Sequence, residues 1–199
     1  MSRLTVDLLR HGEVDGGLCL GRGWDVPLNG RGWSQLRAMP PEPPPWTGIA
    51  TSPLLRCAEF AGELAGRLGL ELRVDERLSE LGFGDWEGRP WSEVYDHHGE
   101  QLREFQRRPD RNPAPGGEDY PDFERRVAAA WEDLLGLPGE RHWLVVTHAG
   151  TIRAILRRVL EFPASRWFGI DVPHACLSRI VRDGDGDDAP RLVFHGGRP

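Results

Sequence analysis

Two arginines, two histidines and a glutamate stand where apolar runs of this chain end. The run Leu4 to Leu9 leads directly into Arg10 and His11, and Gly48 to Ser52 is followed by Arg56. Leu70 to Val74 is followed by Glu80, and His142 to His148 ends on its own histidine before Ala149 and Gly150. Each type suits work on a phosphate monoester. Arginine forks bind equatorial oxygens and neutralise their charge. A neutral imidazole can attack phosphorus when its other nitrogen is fixed, and a carboxyl group can protonate the departing oxygen. A helix that starts just past His148 would offer the Ala149 and Gly150 backbone N–H groups to the same anion.

Converging these groups requires an α/β arrangement. The four runs are short and rich in Val, Ile, Leu and Thr, as strands are. Between them, Gly30–Met39, Leu54–Leu68, Tyr120–Leu135 and Gly150–Leu160 repeat apolar residues at three- and four-residue spacing, as helices do. Alternation of this kind predicts three layers, a mainly parallel sheet with helices on both faces, whose strand ends open on one crevice. We expect a single domain over residues 1–199, with a small helical cap at about 81–108, where no strand is visible.

Composition excludes several function classes. All 25 basic residues are arginine, which removes lysine Schiff-base and Walker-A chemistry. A net charge of −6 argues against nucleic acid as a partner, and three scattered cysteines without CxxC argue against a disulfide framework or zinc site. No apolar run suits a signal peptide or a membrane span, so the expected location is cytoplasmic. In "DGDGDD" (Asp183 to Asp188), the first, third and fifth residues match a calcium loop, but Asp188 stands where its glycine should be and Phe194 where its glutamate should be. A hairpin tip between "LSRIVR" and "RLVFH" is the better reading. His97 and His98 read as surface residues and "PPEPPPW" (Pro40 to Trp46) as a stiff connector. Trp24, Trp86 and Trp91 suit core packing, with stacking on a heterocyclic leaving group as the alternative.

Together, "LLRHGE", "TSPLLRCAEFAGELA", "RLSELGFGDWEG" and "VVTHAGTIRAILRRVL" resemble, in order and spacing, the histidine phosphatase (phosphoglycerate mutase-like) superfamily. The likeness covers the chain from Leu4 to about Leu160. It implies that His11 becomes phosphohistidine, that Arg10, Arg56 and His148 complete the phosphate pocket, and that Glu80 is the proton donor. It also implies a phosphoglycerate mutase-like fold, no cofactor and no metal. Within the superfamily, "GRGWDVPLNGRG", "FGDWEG" and "PGGEDYPDFERRV" look most like the α-ribazole phosphatase type. The chain departs from the family in having Gly17 where an asparagine is frequent, a gap that Arg22 could fill.

Each residue also has a plain structural alternative. Arg10 could be a strand-end surface arginine, His11 a satisfied core histidine, His148 a strand-terminal histidine bonded to backbone, and Arg56 a partner of Glu59 or Glu63 on its own helix. Asp85 and Glu87 compete with Glu80 as proton donor. For the whole protein, the expected activity is a metal-independent phosphomonoesterase acting on a small molecule. The competing functions are mutase-type phosphoryl transfer, a catalytically inactive phosphate-binding protein and, least favoured, a metal-dependent esterase.

Overall fold

The computed structural model describes residues 3–39, 43–138, 141–184 and 188–197. Its strands are β1 (Arg3–Arg10), β2 (Gly48–Thr51), β3 (Glu71–Val74), β4 (Arg141–Thr147), β5 (Leu177–Asp183) and β6 (Arg191–His195). They form a six-stranded sheet in the order β3-β2-β4-β1-β5-β6. The first four run parallel, and β5 and β6 add an antiparallel edge beside β1. The helices are α1 (Gly30–Arg37), α2 (Leu55–Leu68), α3 (Trp91–Arg107), α4 (Tyr120–Leu135) and α5 (Ala149–Leu160).

The layering follows from strand alternation. Leu4, Val6 and Leu8 of β1 face one core with Phe123, Val127 and Trp131 of α4 and Ile152 and Ile155 of α5. Leu9 faces a second core with Leu36 of α1 and Phe60, Ala61 and Leu64 of α2. Because side chains of a strand alternate between faces, a single strand serves both layers. Helix ends obey local chemistry as well. Asn29 caps α1 by accepting from the Gly32 N–H at 2.8 Å, and Gly69 ends α2 in the left-handed region.

Several sequence expectations need adjustment. His148 lies outside β4 and is the N-cap residue of α5, so that helix begins at Ala149, one residue earlier than expected. The segment 81–108 is dominated by α3, which breaks its helical geometry at His98. A 3-10 turn at Ala164–Gly169, invisible to periodicity, packs Trp167 and Phe168 against Phe105 of α3, with ring centroids 6.5 and 5.5 Å apart. Asp183 pairs with Arg3 and Arg191, while Asp185 and Asp187 lie outside the described residues, as do Pro40 to Glu42. His97 is exposed and His98 half-buried. Among the described residues no three His, Cys, Asp or Glu side chains cluster as metal ligands, and no helix is long and apolar enough to cross a membrane.

One buried charge ties the middle of β1 to its neighbours. Asp7 of β1 is fully buried and accepts from Arg179 at 2.8 and 2.9 Å, from His142 at 2.9 Å and from the Trp46 indole at 2.9 Å. Burial raises its pKa, but the bonds from Arg179, His142 and Trp46 outweigh that and hold it below the ordinary 3.8. The depressed pKa stabilises the fold fully at neutral pH, and this contribution disappears as pH falls below about 4. Asp7→Asn should therefore cost about 3 kcal/mol in denaturant unfolding at pH 7, with a smaller deficit in acid.

Candidate active site

The loop leaving β1 turns at once because Gly12 has no side chain. A β-carbon on Gly12 would overlap the Gly32 carbonyl, and one on Gly32 would overlap the Glu13 backbone. Two glycines meeting face to face let the first turn of α1 cross directly over the residue after His11. The backbone that carries His11 is pinned on its other sides too. Its N–H donates to Thr147 O at 2.9 Å, and its carbonyl accepts from Ala175 N at 3.2 Å.

The His11 ring is 4% exposed, and its Nδ1 lies 2.8 Å from Gly12 O. A carbonyl can only accept, so Nδ1 carries the proton and Nε2 holds a lone pair. Burial first, then the Arg10 and Arg56 charges and His174, push its pKa well below the usual imidazole value, despite the bond to Gly12. The ring is thus a neutral base with one nitrogen committed and the other free, which is the form a nucleophile needs. His148 is likewise neutral through burial, Arg56 and His11. Its Nε2 lies 2.8 Å from Ser52 Oγ, and its ring centroid is 5.3 Å from that of His11.

The two arginines are placed differently. Arg10 extends from the end of β1 and lines a cavity of about 360 Å³ together with His11, Gly17, Glu80, Ala149 and Gly150. Burial lowers its pKa to about 10, so it stays cationic at neutral pH. Arg56, in the first turn of α2, is 0% exposed and sits beneath this surface. It donates to Trp24 O at 3.0 Å and Gly21 O at 3.1 Å, and it pairs with neither Glu59 nor Glu63. Its charge acts on both histidines from behind.

Glu80 is 6% exposed, and its carboxylate accepts from Leu81 N at 2.9 Å and from Gly150 N at 3.1 Å. The Gly150 N–H expected to await an anion therefore already serves Glu80, and an incoming phosphoryl group would share or take that donor. Of the competing carboxylates, Glu87 is turned away to accept from Phe83 N at 2.8 Å, Asp85 lies against Gly116, and neither lines the cavity. Arg22 also stands outside it, half-exposed and 3.5 Å from Glu118. Gly17, at φ +58°, leaves open space where a side chain would stand. Of the three tryptophans, Trp91 lines the cavity, Trp86 is buried in the core and Trp24 is exposed.

Sequence reasoning missed three groups. Arg126 of α4 donates to the carbonyls of Arg77 and Ser79 at 2.8 Å and of Glu80 at 2.9 Å, while chelating Glu118 at 2.7 and 2.8 Å. It moors the loop that carries Glu80. Arg153, one turn into α5, shares the cavity wall with Asp171, Trp167 and Phe168. His174 lies 3.1 Å from Arg10, and its ring is 5.6 Å from that of His11. The available signal for His174 was the strand-like "LSRIVR": a strand antiparallel to β1 must enter beside the end of β1, so the residues preceding it fall at the site.

Comparison with known proteins identifies the family. Residues 6–194 match the model of the histidine phosphatase superfamily (branch 1). A Mycobacterium tuberculosis protein described as bifunctional is 33% identical over 197 residues; the match takes in 96% of this chain but only 53% of that protein. A mycobacterial glucosyl-3-phosphoglycerate phosphatase superposes with a TM-score of 0.78 at 26% identity, over 96% of both chains. The α-ribazole phosphatase of Shigella flexneri shares the fold, with a TM-score of 0.81 at 24% identity over 98% of this chain and 96% of that one. The chain belongs to the histidine phosphatase superfamily and is an enzyme of the phosphatase type.

Proposed function

We propose that the protein hydrolyses small-molecule phosphomonoesters without a metal, through a phosphohistidine at His11. The observation that carries this reading is the His11 ring, neutral, tied at Nδ1 to Gly12 O and open at Nε2 to a cavity that also holds Arg10, Glu80 and the start of α5. The phosphoryl group binds between Arg10 and the Ala149–Gly150 N–H groups, with the fully buried Arg56 supplying positive charge from beneath and His148, held by Ser52 and outside the cavity lining, packed beside the His11 ring. His11 Nε2 attacks phosphorus in line as the ester P–O bond breaks, and the Glu80 carboxyl group, as general acid, gives its proton to the leaving oxygen. Glu80 then takes a proton from water, which attacks phosphorus and breaks the P–N bond to release phosphate.

The rest of the cavity bears on the substrate. Beyond the phosphoryl end its wall is Leu18, Leu20, Phe83, Trp91, Phe105, Trp167 and Phe168, with Arg153 and Asp171 as polar points. An aromatic wall with one donor and one acceptor suits a leaving group made of a sugar and a flat heterocycle. That favours α-ribazole 5′-phosphate, a cobalamin-nucleotide precursor, over a small hydroxyacid phosphate. The three cysteines are free and buried, in keeping with a cytoplasmic setting.

Three outcomes follow. Phosphate release should be unchanged by EDTA and faster from α-ribazole 5′-phosphate than from 3-phosphoglycerate; a loss reversed by added metal, or strong stimulation by a bisphosphorylated glycerate, would contradict the reading. Glu80→Gln should lower kcat/KM by about 10²–10⁴-fold for alkyl phosphates and far less for p-nitrophenyl phosphate, whose leaving group needs no proton. Arg126→Met should reproduce that dependence on leaving group more weakly, because it frees the loop that aims Glu80; an equal loss on both substrates would mean that Arg126 does not act through Glu80.

A further inference from the structure

Residues 172–176 wrap the end of β1. Arg10 N donates to Cys176 O at 3.0 Å, Ala175 N donates to His11 O at 3.2 Å, and Arg10 Nη1 donates to Val172 O at 2.6 Å. The remaining contact is between side chains: Arg10 Nη2 lies 3.1 Å from His174 Nε2. A guanidinium has only donors, so His174 Nε2 accepts and its ring is neutral, with the proton on Nδ1. Burial and the Arg10 charge support that state by lowering its pKa to about 4. Ala175, next in the chain, has φ +55°, one of two non-glycine residues in the left-handed region among those described. That backbone state is unfavourable for alanine and persists only where its surroundings enforce it, which is frequent beside functional groups.

We infer that His174 is a positioning residue: with Val172 O it forms a two-acceptor clamp that fixes the Arg10 guanidinium plane toward the phosphoryl group, and the strained turn at Ala175 aims it. Arg10 Nε is buried without a partner, so these two acceptors carry the orientation of the side chain. A guanidinium rotated out of this plane would keep its charge and lose its bidentate fit to two phosphoryl oxygens. The role requires an acceptor at the Nε2 position and nothing else that imidazole offers.

The inference rests on the phosphatase reading, which the wild type tests first: p-nitrophenyl phosphate must be hydrolysed, and His11→Ala must abolish hydrolysis. Should that fail, the reading falls and the clamp with it. Given that activity, His174→Leu should lower kcat/KM by about 10–100-fold and weaken competitive inhibition by inorganic phosphate. His174→Gln, whose amide oxygen reaches the Nε2 position, should retain activity within about threefold, whereas His174→Asn, too short to reach Arg10, should behave like the leucine variant. Ala175→Gly relieves the strain, so it should melt no lower than wild type yet lose part of kcat/KM. Activity of His174→Leu within twofold of wild type would overturn the assignment. So would equal loss in the glutamine and leucine variants at unchanged melting temperature.

Discussion

The hydrogen bond between His11 Nδ1 and Gly12 O is the constraint on which the site depends. It commits one ring nitrogen, so the lone pair is left on the other, and it does so with a backbone group that cannot titrate. Burial and the charges of Arg10 and Arg56 keep the ring from protonating. In the proposed reaction, the arginines whose charge suits an anionic substrate thus also hold its attacker in the neutral form. An imidazole exposed at the surface would be partly protonated near neutrality and free to rotate, with neither property secured.

Much of the fold is arranged to hold that ring still. Parallel pairing of β1 with β4 brings His11 and His148 out at the same edge, with ring centroids 5.3 Å apart. Paired glycines 12 and 32 let α1 cross against the loop that follows His11. Arg126 moors the loop of Glu80, and residues 172–176 secure Arg10 and the His11 carbonyl. In the middle of β1, Asp7 joins β1, β4 and β5 through His142 and Arg179. The geometry of the candidate site is thereby set largely by elements outside its cavity.

The groups legible in the sequence share one property: they lie at the ends of parallel strands, in the first turn of the helix that follows or, for Glu80, in the loop six residues beyond a strand. Arg10, His11, Arg56, Glu80 and His148 could be read because an apolar run announces each one, and the periodicity of α2, α4 and α5 is strong. What escaped reading depends on long-range contacts. Val172 meets Arg10 from 162 positions away, and Arg126 meets the Arg77 carbonyl from 49 positions away. Neither arginine nor carbonyl announces such a partner locally. The 3-10 turn at Ala164–Gly169 lacks helical periodicity, so Trp167 and Phe168 as cavity wall could not be foreseen. Arg22, a candidate to fill the gap that Gly17 leaves, is turned by the fold toward Glu118 instead.

The most direct test of the account is the site and isomer of the phosphoryl intermediate. The protein would be mixed with a labelled phosphomonoester, trapped under alkaline denaturing conditions in which phosphohistidine survives, and examined by phosphorus NMR with peptide mapping. The hydrogen bond at Nδ1 predicts a phosphoryl group on Nε2 of His11 alone. Phosphate on Nδ1, on His148 or His174, or on no residue while hydrolysis proceeds would contradict it.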